Sequence, residues 1–493
     1  MEMNFLKKKI NQTMMQYFEW YLTPDFHLWS QIPKVAGYLE SIGITGIWLP
    51  PAYKGAAGVQ DTGYGVYDLY DLGEFDQKGT IPTKYGTKEE YLNAIKVLKG
   101  NNIEVYADMV MNHKMGADGT EKVLATEEMP NDRNVTISEP KEIEAWTQYT
   151  FPGRGDKYSD FKWNWTHFHG VDWDEKTKRN GIFKFYGKNW DKLVDKENGN
   201  FDYLMGQDID FNNVDVAEEL KKWGQWYLDM TKVDGFRLDA VKHMRADFFD
   251  DWLDTLRENN EKELFAVGEY WTTNVETLAN YIKETKSTMS LFDVPLHYNF
   301  FNASNSGGNY DMRTIFDNTL VKIQPEYAVT FVDNHDTQPG QALFSFVQDW
   351  FKPLAYALIL LRRDGYPCVF YGDYYGIPHD NVGSKKEIIE KLLKARKYFA
   401  YGRQNDYFDD PNIIGWTREG DFEHPDSGMA VIMSDGCGGS KQMNVGSRLA
   451  GSVLYDCTGN MKETVYVDQD GNGIFYCDGG SVSVWIKKEN QYE

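Results

Sequence analysis

The stretch VDVAEELKKWGQWYLDMTKVDGFRLDAVKH, residues 214–243, reads as one helix followed by one strand. Val216, Leu220, Trp223, Tyr227 and Met230 recur at helical spacing and predict a single buried face, and VDGFRLDAV (233–241) predicts the strand that follows. The same unit repeats in both directions along the chain. Upstream come the strand TMMQYFEW (13–20), a helix carried by Ile32, Val35, Ala36, Leu39 and Ile42, and the strand GITGIWLP (43–50). The helix TKEEYLNAIKVLKGNN (87–102) and the strand IEVYADMV (103–110) complete that half. Downstream lie the helix ADFFDDWLDTLRENN (246–260) and the strands ELFAVGEYW (263–271), SLFDVPL (290–296) and YAVTFVDNHD (327–336). The buried helix WFKPLAYALILLRRDG (350–365), the strand YPCVFYG (366–372) and the helix KEIIEKLLKARKYFA (386–400) close the series. Strands alternating with helices imply a parallel sheet, and eight of them imply a (β/α)8 TIM barrel.

Two segments fall outside this rhythm. Residues from about Lys114 to Asn213 are rich in Trp, Asp, Gly and Asn and show little helical periodicity, so they read as an irregular, β-rich domain inserted after the third strand. After Gly402 the chain turns to short strands with Gly turns: NIIGWTREG (412–420), GMAVIMSDG (428–436), GIFYCDGG (473–480) and SVSVWIKK (481–488). These predict a C-terminal antiparallel β-sandwich domain. The expected division is a barrel over 1–111 and 214–402, an insertion over 112–213 and the all-β domain over 403–493.

Composition narrows the function. A net charge of −23 argues against a nucleic-acid partner and leaves a neutral polymer or a cation. The densest apolar run, Pro353 to Leu361, is far too short to span a membrane. Aromatic residues reach 15%, enough to cover the apolar faces of sugar rings, although most must belong to the core. The cysteines Cys368, Cys437, Cys457 and Cys477 match neither a disulfide scaffold nor a zinc ribbon and are expected reduced. The opening MEMNFLKKKINQT has lysines but no apolar stretch behind them, so no signal peptide is read and a cytoplasmic protein is expected; a monomer is expected as well. A processed secreted chain given a new Met would read the same way.

In barrel enzymes the reacting groups sit at the C-terminal ends of the strands. Four predicted strands end in polar clusters: DMVMNH (108–113), GFRLDAVKH (235–243), VGEYW (267–271) and FVDNHD (331–336). A lone Asp at such a place is usually a helix cap. Three carboxylates at three strand ends, each beside a His, Arg or aromatic residue, are a different matter. Glycosidic cleavage needs two carboxyls flanking the bond, and retention of configuration needs them close together, which neighbouring fourth and fifth strands could provide.

These four segments, in this order, resemble the signature segments of the α-amylase family of glycoside hydrolases. The resemblance extends over DTGYGVYDLYDLGEFDQKGTIPTKYG (61–86), NGNFDYLMGQDIDF (198–211), LFDVPLHYNF (291–300) and WFKPLAYALILL (350–361), which look like the liquefying bacterial enzymes and their cytoplasmic enterobacterial relatives. It implies a calcium-dependent, endo-acting, retaining hydrolase of α-1,4-glucans such as starch, glycogen or maltodextrin. It implies Asp239 as nucleophile, Glu269 as general acid and base, and Asp336 as a group that binds sugar hydroxyls. Arg237 would keep Asp239 ionised, His113 and His335 would hydrogen-bond the same sugar, and Tyr64 would stack on it. Lys242 would contact leaving-group sugars. Asn112, Asp202 and Asp208 would bind Ca2+ through side-chain oxygens and His243 through its backbone carbonyl, a hard-oxygen set that suits this ion. The secreted enzymes carry a further calcium–sodium cluster; Asp191 and Asp210 match its pattern, but His169 and Asn212 stand where carboxylates are expected, which puts that cluster in doubt. Trp163, Trp165 and Trp173 are candidates for stacking on sugars, with core packing as the alternative for each. Other readings are an exo-acting or transglycosylating member of the family, a non-catalytic sugar-binding protein on the same fold, and an unrelated barrel enzyme such as an aldolase. The presence of all three carboxylates disfavours the third of these four, and the lack of an evident Schiff-base Lys or phosphate site disfavours the last.

Overall fold

The computed structural model describes residues 11–261 and 263–487. The N-terminal stretch on which the signal-peptide expectation rests lies mostly outside these residues, as does the last residue of SVSVWIKK. Eight parallel strands close into a barrel: β1 (Met14–Gln16), β2 (Gly46–Leu49), β3 (Glu104–Met109), β4 (Gly235–Leu238), β5 (Phe265–Gly268), β6 (Ser290–Phe292), β7 (Ala328–Phe331) and β8 (Tyr366–Phe370). Each pairs in parallel with its sequence neighbours, and β1 pairs with both β2 and β8, which seals the ring. All eight predicted strands are present, but shorter than the apolar runs suggested. TMMQYFEW forms strand only over its first half, and SLFDVPL ends at Phe292, because Asp293 caps the helix Val294–Asn305 by accepting from Leu296 N.

The outer helices form where apolar spacing and caps coincide. Helix Lys88–Gly100 starts with a capping box between Thr87 and Glu90 and buries Tyr91, Ala94, Ile95 and Leu98. Helix Val214–Thr231 is capped by Asn213 and buries Val216, Leu220, Trp223 and Tyr227 against the barrel; Met230 is only half-buried. The closing helix Lys386–Phe399 buries Ile389, Leu392 and Leu393.

The segment after β3 is more regular than its composition suggested. It forms one antiparallel sheet from Gly119–Met129, Asp132–Thr136, Lys141–Gln148, Phe168–Asp174, Arg179–Phe185, Gln207–Ile209 and His113–Lys114. Its longest strand, GTEKVLATEEM, buries only Val123, Ala125 and Glu128, so an alternating apolar signal hardly exists. The sheet is tied to the barrel mouth where Asp208 pairs with His113 and Ile209 N donates to Asn112 O.

The C-terminal residues form a six-stranded sheet and a two-stranded one, packed through Ala430, Ile432 and Trp485 on one side and Met443, Phe475 and Cys477 on the other. The four strands read from sequence are there, together with Gln404–Tyr407, Gly439–Asn444, Val453–Asp456 and Thr464–Tyr466. All four cysteines are free.

Candidate functional site

The C-terminal ends of β1, β2, β3, β4, β5 and β7 converge on one buried guanidinium. Arg237, on β4, is fully buried. Its Nη1 donates to Asp108 Oδ1 at 2.9 Å and to Asp239 Oδ1 at 2.6 Å, and its Nη2 donates to Glu269 Oε2 at 2.6 Å. Parallel register sets Arg237 directly beside Asp108 on β3 and Val267 on β5, two residues before Glu269. Arg237 and Asp239, two apart on one strand, face the same side. The chain turns sharply after Asp239: Ala240 has φ 47°, a left-handed conformation that a non-glycine residue adopts at a cost, and its N–H points to Glu269 Oε2 at 3.3 Å.

The electrostatics separate the carboxylates. Burial pushes Glu269 up to about 8, with Asp336 and Asp239 adding to the rise and Arg237 opposing it. Burial likewise raises Asp336 and Asp108 against the pull of Arg237. Arg237 is held charged because the attraction of Asp108 and Glu269 outweighs its desolvation. With Oε2 of Glu269 occupied by two N–H donors, a proton on this group is carried by Oε1. The arrangement offers one carboxyl that retains its proton at neutral pH and one that lies against a permanent cation, both held by the same side chain.

Aromatic rings and two imidazoles surround these groups. Tyr64 is stacked on His335 at 5.0 Å and 11°, and Trp20 on Tyr64 at 5.8 Å and 10°. Tyr64 Oη donates to Asp108 Oδ2 at 2.8 Å, as does Trp48 Nε1 at 2.9 Å. His335 takes a hydrogen bond at Nδ1 from Gln16 Nε2 (3.0 Å), and its Nε2 faces Asp336 Oδ2 at 3.3 Å. Burial lowers both His335 and His113, so each is a neutral imidazole; Nε2 of His113 faces Tyr64 O at 2.9 Å. Lys242 bridges to Glu197 at 2.8 Å and donates to Trp271 O at 3.2 Å. Gln16 and Trp48 are members of this cluster that the motif reading did not single out, and Asp108, the first residue of DMVMNH, stood among the strand-end polar residues without a role. A buried Asp within the apolar run VYADMV demanded a cationic partner and was the available signal for Asp108. Trp163 is core, packed on Phe161, His167 and Phe168, and does not offer a face to sugar. Trp165 packs on Phe185, and Trp173 donates to Glu175.

A second group lies where the inserted sheet meets the barrel. His169, Asp202 and Asp208 place ligand-type atoms within 4.8 Å of one another, all buried. Asn112, whose backbone oxygen accepts from Ile209 N next to Asp208, has a buried Oδ1 with no hydrogen-bond partner. Burial and the charge of Asp202 drive Asp208 far above the usual carboxylate range, the response of carboxylates forced together that a cation relieves. The ring of His243 donates from Nδ1 to Phe201 O at 2.7 Å, and its backbone carbonyl is the one oxygen it can offer. The donor set of two carboxylates, an amide oxygen and a carbonyl suits a hard cation.

Comparison with known proteins agrees with this geometry. Residues 31–420 match the family model described as "Alpha amylase, catalytic domain" and residues 430–486 the model "Alpha-amylase C-terminal". Among curated relatives, the chain is 59% identical to an "Alpha-amylase" of Geobacillus stearothermophilus over 97% of this chain and 87% of that one. It is 56% identical to a "Glucan 1,4-alpha-maltohexaosidase" of Bacillus sp. (strain 707), covering 97% and 93%, and 47% identical to the "Cytoplasmic alpha-amylase" of Escherichia coli (strain K12), covering 97% and 99%. In fold it is similar to the crystal structure of the α-amylase from Geobacillus thermoleovorans, with a TM-score of 0.63 at 16% identity over 98% and 99% of the two chains. A family model over most of the chain, three relatives near or above half identity and a closed barrel with its charged cluster at the strand ends place this chain in the α-amylase family of glycoside hydrolases.

Proposed function

We propose that the chain is an endo-acting, retaining α-amylase that hydrolyses internal α-1,4-glucosidic bonds of starch, glycogen or maltodextrins. The observation that carries this reading is the single guanidinium of Arg237, which clamps Asp239 and Glu269 at the ends of adjacent strands. Two carboxyls gripped by one fork are held close together, in keeping with the spacing that retaining enzymes need. Asp239 attacks the anomeric carbon as the glycosidic bond breaks, and Glu269 gives its proton to the departing oxygen. Glu269, now ionised, takes a proton from water, which attacks the glycosyl–Asp239 ester and frees the sugar with its original configuration. Asp336 and the imidazoles His113 and His335 bind hydroxyls of the sugar at the cleavage point, Tyr64 covers its face, and Lys242 holds the leaving-group side.

The metal would be Ca2+, and Asn112, Asp202, Asp208 and the carbonyl of His243 would hold it. The unpartnered Asn112 Oδ1 and the crowded carboxylates support this choice. When bound, the ion supplies positive charge that cross-links the inserted sheet to the barrel edge. Similarity to an enzyme named for maltohexaose release favours a second reading, in which products of fixed length leave from a chain end. A time course on amylose separates the two. The endo reading requires viscosity and iodine staining to fall early, with mixed maltooligosaccharides in the α form. One product size from the first minutes, with viscosity barely changed, defeats it.

The chain acts in the cytoplasm as a monomer. The support for location is the similarity to the Escherichia coli protein named cytoplasmic. Activity in the culture medium or a cleaved precursor refutes the location, and a dimer mass in light scattering refutes the monomer.

A further inference from the structure

Four carboxylates meet where the inserted sheet joins the barrel, and their number exceeds what one divalent ion neutralises. Asp191, Asp202, Asp208 and Asp210 are 3%, 2%, 1% and 5% exposed. They bring four negative charges, and a Ca2+ answers two. Side chains of the chain itself contact the oxygens of these groups. Lys188 Nζ lies 2.5 Å from Asp210 Oδ2 and also donates to Thr166 O at 2.7 Å. The His169 ring is set between carboxylates, with Nδ1 at 3.0 Å from Asp208 and 3.1 Å from Asp202 and Nε2 at 3.0 Å from Asp210 Oδ1. Asn212 acts as a relay: its Nδ2 donates to Asp191 Oδ1, and its Oδ1 accepts from Arg245 Nη1. Arg245 is itself fixed by two 2.7 Å bonds to Asp247.

These contacts use the oxygens that a second metal ion would need. Asp210 Oδ1 faces His169 and accepts from Asn212 N, and Asp210 Oδ2 is taken by Lys188. Asp191 Oδ1 is taken by Asn212, and only Asp191 Oδ2 is buried without a partner. One free oxygen falls far short of the six to eight that calcium gathers, and an imidazole is a poor ligand for a hard cation. Asp191, Asp210, Asn212, Lys188 and Arg245 line a cavity of about 490 Å3, and two of these five bring positive charge into it.

We propose that this neighbouring pocket is occupied by the chain's own side chains, Lys188 and the Asn212–Arg245 pair, with the His169 ring set where a further carboxylate would be needed, in place of a second metal ion, so that the protein holds one cation and not a cluster. The inference rests on the calcium reading of the Asn112–Asp202–Asp208–His243 site. It makes the join between sheet and barrel partly independent of metal.

The test is calcium stoichiometry on the full chain, by equilibrium dialysis against calcium chloride after chelation. The wild type should bind one ion per chain, and His169→Asp, which exchanges the imidazole for a carboxylate, should bind two. Two ions in the wild type, or one in His169→Asp, overturns the proposal; none in the wild type overturns the calcium reading instead. Should His169→Asp fail to fold, Lys188→Met provides the second arm. Its melting temperature should fall by a similar few degrees with excess calcium and with chelator. A fall that excess calcium abolishes would show the pocket to be a metal site and would refute the proposal.

Discussion

Replacing Gln16 by Leu should slow the chemistry although Gln16 touches none of the three carboxylates. Gln16 is the last residue of β1 and is 1% exposed. Its amide donates to His335 Nδ1 at 3.0 Å, so Nδ1 is an acceptor and the ring proton sits on Nε2, facing Asp336 at 3.3 Å. Burial and Arg237 keep the ring neutral, so the tautomer is the only choice open to it. Leu removes the donor and strands a buried acceptor, which costs about 1–3 kcal/mol. If His335 donates through Nε2 to a hydroxyl of the sugar in the transition state, that cost appears as a drop in kcat of about 5- to 150-fold, with KM changed little. The assay is steady-state cleavage of a chromogenic maltooligosaccharide, with circular dichroism as the fold control. Gln16→Glu adds a sign check, because a carboxylate against Nδ1 favours the imidazolium and should make kcat newly pH-dependent near neutrality. A Gln16→Leu enzyme with kcat within twofold of wild type, or with its defect confined to KM, refutes the tautomer argument.

Further outcomes follow from the same cluster. Glu269 must hold a proton to act as acid, and its pKa is pushed up to about 8; kcat/KM should therefore fall tenfold per unit as pH rises beyond about 8, and a limb near the ordinary carboxylate range would contradict this. Asp239→Asn should keep its melting temperature within a few degrees and lose several orders of magnitude in turnover on soluble starch, since covalent catalysis is removed; near-normal activity defeats the nucleophile assignment. Chelation should lower the melting temperature and restored calcium should raise it again, by mass action; a melting curve indifferent to both rules the calcium reading out. Lys352, fully buried between Asp333 (2.8 Å) and Asp373, backs the segment that carries His335 and Asp336, so Lys352→Met should destabilise by about 3–5 kcal/mol in denaturant titration.

The sequence declares the barrel because each strand is an apolar run set between helices with readable faces, and it declares the strand-end chemistry because Asp239, Glu269 and Asp336 each end such a run. It conceals the inserted sheet, since strands such as Gly119–Met129 bury few side chains and keep little alternation. The hidden members of the site have a different cause. Asp108 meets Arg237 only through the parallel register of β3 and β4, and Gln16 meets His335 across 319 residues only because β1 closes the ring against β8, next to β7. Local pattern can report which residue stands at a strand end; it carries nothing about which strand end lies opposite. The same limit applies to His169. As a letter in the sequence it is a missing carboxylate and reads as a loss. Placed between Asp202, Asp208 and Asp210, its ring nitrogens lie within 3.0–3.1 Å of carboxylate oxygens, so the departure from the resembling pattern is a set of contacts and not only a missing ligand.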